Sequence, residues 1–215
     1  MREQGGVRSV GGIAIVSVLI ALASGCERRA GGERRGGPEL SPVSLPDLSR
    51  MDAPVQEQAR QRHAAVTQKL AAGASGADLG TAFGEMGMLL HAAEDHDAAE
   101  PAYRNAQLLM PDDPRWPYYL AHLYKSKGDP ARSIDAFKRA LELRSTELAT
   151  LVWLGRMYID QGQPDRAEPL LARAQAAAPR TAAVLAALGQ IALARRDYAR
   201  GAGLFLGLEL VRDKQ

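Results

Sequence analysis

From residue 80 onward, apolar residues recur at helical spacing in stretches that stay in register with one another. Phe83, Met86 and Leu90, then Leu120, Leu123 and Tyr124, then Leu151, Leu154 and Tyr158 mark one stripe of a helix in successive stretches. Small residues form a column at a spacing of 34: Gly87, Ala121, Gly155 and Gly189. Phe83, Pro117, Leu151 and Leu185 stand four residues before them, and Leu90, Tyr124, Tyr158 and Ala192 three after. A second stripe follows in each stretch, through Ala99, Ser133, Ala167 and Gly201, then Tyr103, Phe137, Leu171 and Phe205, then Ala106, Ala140, Ala174 and Leu208. The stripes are separated by polar tetrads in register. In Lys127-Gly128-Asp129-Pro130 and Gln161-Gly162-Gln163-Pro164, glycine ends one helix in a left-handed turn and proline begins the next. Pro111-Asp112-Asp113-Pro114, Ser145-Thr146 and Pro179-Arg180-Thr181 place breakers and caps between stretches. No run alternates polar and β-branched residues, so the pattern predicts an all-α domain.

A fixed period of this length means stacked units, each burying a face only against its neighbours. The spacing and residue classes resemble the tetratricopeptide repeat, a helix–turn–helix unit of 34 residues. The resemblance implies an α-solenoid of four such repeats, 80–113, 114–147, 148–181 and 182–215. Ahead of them, Pro42, Pro46 and Pro54 punctuate the entry to a helix near 53–72, with Val55, Ala59, Val66 and Leu70 on one face and Gly73 at its end. Residues 51–79 are read as an N-terminal capping helix, because solenoid ends need covering.

The first residues speak to location. Arg2 and Arg8 lie before an apolar run from Val10 through Ala23, which ends in Leu22-Ala23-Ser24-Gly25-Cys26. A basic start, a short apolar core and small residues describe a secretory signal, residues 1–25, too short to span a bilayer as a helix. Cys26 after Ala23-Ser24-Gly25 resembles the lipobox of bacterial lipoproteins. That resemblance implies a lipidated Cys26 and a place in the bacterial cell envelope; by analogy, Glu27 after the Cys favours the outer membrane, facing the periplasm. The alternative is an uncleaved anchor with a free thiol. Cys26 is the only cysteine among 215 residues, so no internal disulfide can form. Residues 26–50 read as lipidated Cys and flexible tether, since Glu27 to Pro38, rich in Arg and Gly, carries no apolar periodicity.

Charge and chemistry exclude several classes. Setting residues 1–25 aside leaves 25 Lys and Arg against 24 Asp and Glu, well mixed, without the basic stripe that nucleic acid requires. No phosphate loop, nucleophile elbow or His-Glu-x-x-His motif occurs, which argues against an enzyme and against a resident cofactor. His91 and His96 flank Glu94, Asp95 and Asp97. Their i, i+5 spacing places them on different faces of a helix, and a solvated turn rather than a metal site is expected.

The resemblance places the binding surface on the concave face lined by the first helix of each unit. Its groove positions fall on Arg115, Tyr118, His122, Lys125, Arg156, Ile159 and Gln190, flanked by Met88 and His91. That set suits a protein or peptide partner of acidic character with an apolar side chain. A chaperone clamp of groove asparagines is absent, because the one Asn, Asn105, falls on a second helix. The last helix, near 198–212, carries Leu204, Phe205, Leu206, Leu208, Leu210 and Val211, which cannot all face inward. A homodimer or partner contact through that helix is expected. The chain therefore reads as a membrane-tethered interaction scaffold. The alternative is an accessory factor for assembling an envelope complex, in pilus or secretion systems, outer-membrane assembly or cytochrome maturation.

Overall fold

The computed structural model describes residues 39–212; the signal segment, Cys26 and tether residues 27–38 lie outside them. Among the described residues the α-helices are α1 (Ala53–Ala71), α2 (Gly76–Ala92), α3 (His96–Leu109), α4 (Arg115–Ser126), α5 (Pro130–Leu143), α6 (Leu148–Asp160), α7 (Pro164–Ala177), α8 (Ala182–Ala194) and α9 (Tyr198–Arg212), with no strand. Four hairpins, α2/α3, α4/α5, α6/α7 and α8/α9, carry the most extensive packing, and each second helix also packs on the next unit's first helix. The first helices meet directly as well, α2 with α4 and α6 with α8. That shared face is the inner side of the stack. Among the described residues no helix is long and apolar enough to cross a membrane.

The small-residue column lets the two helices of a unit approach. A Cβ on Gly87 would lie 2.7 Å from the Tyr103 ring, one on Gly155 2.9 Å from Leu171, and one on Gly189 2.8 Å from Phe205. Large residues one helix away thus fill the space each glycine leaves. The turns repeat equally closely. Asp95, Asp129, Gln163 and Asp197 each donate a backbone N–H five residues back, to Leu90, Tyr124, Tyr158 and Ala192, at 2.8–3.0 Å. This closure needs a left-handed residue just before the donor. Gly128 and Gly162 supply it with φ of 72° and 67°, but Glu94 and Arg196 adopt it too, at 60° and 61°.

Ion pairs tie adjacent units together in two places. Lys127 reaches Asp97 at 2.8 Å and Glu100 at 2.7 Å, and Arg132 reaches Glu100 at 3.0 Å. Two units later, Arg195 pairs with Asp165 and Glu168, and Arg200 with Glu168. Burial works against the Glu100 carboxylate, yet Lys127 and Arg132 hold its pKa below the ordinary range. Between the second and third units the same columns hold Ala131 and Ile134, and Ile134 packs on the apolar core instead.

The N-terminal part differs from expectation in two respects. The predicted capping helix has its counterpart in α1, which packs on α2 and buries Ala59 and Val66, while Leu70 at its end stays exposed. Residues 39–47, assigned to the flexible tether, are extended and packed: Leu40, Val43 and Leu45 lie against the core of the first units. Asn105, 1% exposed on α3, holds Ser41 by both backbone groups. Pro42 biases Ser41 toward an extended backbone whose N–H and carbonyl find no helical partner, so a side-chain amide can pair with both. At the other end, Leu206 (66% exposed) and Leu210 (59%) share the outward face of α9.

Candidate functional site

α4 and α6 build the inner face between the second and third units. Trp153 of α6 stands at its centre, with the Lys125 ammonium 5.5 Å and the Arg156 guanidinium 5.1 Å from its ring. Lys125 lies one turn along α4 from His122, and Arg156 one turn along α6 from Trp153, so the contact between His122 and Trp153 brings both cations to one ring. Neither cation forms an ion pair with a described residue, whereas most basic residues elsewhere do. His122 meets three rings edge-on: Tyr118 at 4.6 Å, Trp153 at 4.9 Å and Phe137 at 5.1 Å. Burial first, then the charges of His91 and Lys125, push its pKa down to about 4. Its Nε2 is sealed from solvent without a hydrogen-bond partner. His122 is therefore neutral at physiological pH.

These facts correct the expected cationic surface. Of Arg115, His122, Lys125 and Arg156, His122 carries no charge. Arg115 is bound by Asp113 at 2.6 Å and lies over Trp116. The free positive charge of the groove is concentrated in Lys125 and Arg156. Tyr118 joins them through His122, but Ile159 turns toward the core, half-buried. Gln190 lies exposed on α8, one unit further along.

Two lining residues escaped the sequence reading, Tyr119 and Trp153. They occupy the same column one unit apart, adjacent to the core columns, so successive aromatics at a period of 34 were the available signal. Tyr119 completes a row of rings across three units. His91 meets Tyr103 at 6.0 Å, Tyr103 stacks on Tyr119 at 5.7 Å, and Tyr119 meets Tyr118 at 5.8 Å. Through Tyr118 and His122 the row ends at Trp153. His91 and His96, expected on separate faces of one helix, belong to different helices, and the α2–α3 turn brings their rings to 5.4 Å. Among the described residues no three metal-ligating side chains converge.

Two family models match the chain, both described as tetratricopeptide repeat, over residues 85–147 and 125–191. Neither is a catalytic family. No curated protein matches. Among solved structures the chain is similar to a tetratricopeptide repeat protein from Parabacteroides merdae, with TM-score 0.67 and 16% identity over 74% of this chain and 61% of that one. It is also similar to MamA, with TM-score 0.65 and 15% identity over 76% of this chain and 96% of that one. A third similar structure is Pseudomonas aeruginosa pilF, with TM-score 0.57, 19% identity, and coverage of 63% and 62%. At these identities the likeness is one of fold.

Proposed function

This chain is a tetratricopeptide-repeat protein, and from that premise we propose that it is a non-catalytic scaffold holding a partner protein by an extended segment in its inner groove. The observation that carries the reading is the pairing of Lys125 and Arg156 around Trp153. Cations with no internal counter-charge, placed beside a large aromatic surface, suit a segment bearing carboxylates and one apolar or aromatic side chain. From Trp153 that surface continues over the half-buried rings of Tyr118 and Tyr119, which supply area without ordering long side chains, while Tyr103 behind them is buried.

Affinity capture from detergent-solubilised membranes tests this with the full chain. The chain should retain a partner, and Lys125→Glu with Arg156→Glu should lose it, with wild-type capture weakening as salt rises. Trp153→Ala should cost about 2 kcal/mol of binding, roughly 30-fold. Capture by both variants that equals the parent at low salt would place the interface elsewhere.

The same proposal includes a membrane tether. Its support is sequence alone: the basic and apolar start, Ala23-Ser24-Gly25-Cys26, and the absence of any other cysteine. Lipid on Cys26 would hold the scaffold at an envelope membrane, where several acyl chains on one residue give stable attachment. Cys26→Ser should release the protein from the membrane fraction or leave a longer precursor. Self-association through Leu206 and Leu210 belongs to the reading as well; light scattering should show a dimer that Leu206→Glu with Leu210→Glu converts to monomer, and a strictly monomeric parent removes it.

A further inference from the structure

The second helix of each unit turns one face away from the stack, and the character of that face changes along the chain. The Leu206 column holds Arg104, Lys138 and Ala172 in the other units, and the Leu210 column holds Leu108, Glu142 and Ala176. In these columns α3 and α5 carry charge, whereas α7 and α9 carry none. Pro169, Ala172 and Ala176 are exposed along α7, as are Gly203, Leu206 and Leu210 along α9. Each column sets a larger residue against a smaller one: Pro169 with Gly203, Leu206 with Ala172, Leu210 with Ala176. A Cβ on Gly203 would meet nothing within 4 Å, so α9 is open at that point. Beside α7, a groove of about 660 Å³ toward α5 is lined in part by Leu141, Leu170 and Arg173.

We propose that this outer face binds a second copy of the chain, with α9 of each copy laid on α7 of the other. The inference rests on the self-association reading and supplies its receiving surface. A two-fold axis running along the helices, between α7 and α9, exchanges the two and keeps every residue at its own height. Column partners then meet across the interface. Leu206 and Leu210 of one copy reach Ala172 and Ala176 of the other, and Pro169 meets Gly203. This is the large-on-small packing by which Gly87 and Gly189 admit Tyr103 and Phe205 inside their units. Glu209 stands in the column of Leu141, on the flank of α9 beyond the last unit. The same two-fold carries it over the α5–α7 groove. Arg173 lies there, its guanidinium donating to the Ser145 carbonyl rather than to a carboxylate, so charge is complementary as well as size. With 14 and 15 residues, α7 and α9 side by side offer a face about 20 Å by 20 Å. The groove edge brings it toward the roughly 800 Å² per partner of a stable dimer, and micromolar affinity is expected at that size.

Co-capture of two differently tagged full-length copies in detergent tests the pairing. Parent should retain parent. Leu206→Lys with itself, and Ala172→Glu with itself, should each lose retention by about 10-fold or more, because a charge is pressed twice against apolar side chains. Leu206→Lys mixed with Ala172→Glu should recover to within about 3-fold of the parent, since one contact becomes a Lys–Glu pair and the other stays Leu on Ala. That recovery also shows both variants to be folded. Ala172→Glu that still retains itself, or a mixture retained no better than either variant alone, would overturn the α7–α9 pairing. If Leu206→Lys is lost in those cases, self-association through α9 stands and only its receiving surface is removed. A parent that retains no second copy removes both.

Discussion

Asn105 closes on Ser41 across 64 residues of sequence: its Oδ1 accepts the Ser41 N–H at 2.9 Å and its Nδ2 donates to the Ser41 carbonyl at 2.8 Å. A single side chain thereby satisfies both backbone groups of an extended residue and fixes the path by which the chain enters the repeats. Asn105→Ala leaves both groups unpaired against a buried wall and should cost about 1–3 kcal/mol locally. Hydrogen exchange at the Ser41 amide should accelerate, while the amides of α6 to α9 exchange as before. Unchanged protection at Ser41 would show that apolar packing of Leu40, Val43 and Leu45 holds the segment without the clamp.

Glycines in this protein are required for two separable reasons. A Cβ on Gly84 would overlap the six-membered ring of Trp116, whereas one on Gly128 meets nothing within 4 Å and suffers only its φ of 72°. Gly84→Ala should therefore cost about 1–3 kcal/mol or more through overpacking. Gly128→Ala should cost about 1 kcal/mol through backbone strain. Thermal melts of the two variants should rank in that order, and Gly84→Ala combined with a smaller residue at Trp116 should recover part of its loss.

Three of the four within-unit turns carry an aspartate cap. Asp95, Asp129 and Asp197 accept the backbone N–H of Ala98, Arg132 and Arg200 at 3.0–3.1 Å, while Gln163 caps nothing in the same column. Gln163→Asp should stabilise the protein by about 0.5–1 kcal/mol, raising its melting temperature by a few degrees. The bond between Arg166 and Gln163 need not be lost, since Arg132 already pairs with its own cap, Asp129, at 2.6 Å. A melting temperature at or below that of the parent would mean the longer amide is stabilising in another way.

Acid should destabilise the groove through His122. Its folded pKa is depressed to about 4, chiefly by burial, against an ordinary value of 6.5. Between those values the unfolded chain binds the proton and the folded one does not, so stability is whole above pH 6.5 and falls as pH drops toward 4. The site is only partly buried, and solvent screening reduces the expected loss to about 1–2 kcal/mol. Denaturant midpoints measured from pH 7 to 4.5 should fall for the parent and fall less for His122→Phe. Parallel pH profiles for the two proteins would remove His122 as the cause.

The helical period, the spacing of 34 and the turn chemistry were legible in the sequence because each is local. A stripe of Leu151, Leu154 and Tyr158 specifies a helix face wherever it packs, and Asp129-Pro130 starts a helix without reference to other units. Four helical hairpins follow a leading helix, as the pattern implied, although α2 begins at Gly76, inside the segment assigned to the cap. Even Glu94 and Arg196, which lack glycine's freedom, follow the column, because the closure between helices imposes the left-handed turn on whichever residue stands there.

What the sequence left open depends on which neighbour each side chain meets. A histidine reads as a potential cation until Tyr118, Phe137 and Trp153 enclose it and burial removes its charge. Arg115 and Lys125 look alike in a list of groove positions; only the fold gives Asp113 to the first and Trp153 to the second. The prolines of residues 39–47 mark a segment unable to form a helix, but whether it floats or docks was decided by Asn105, more than sixty residues away. Local spacing determines the elements, since a helix needs only its own residues to be amphipathic. Charge state, pairing and docking are set by desolvation and by partners from other units, and those exist only once the stack has formed.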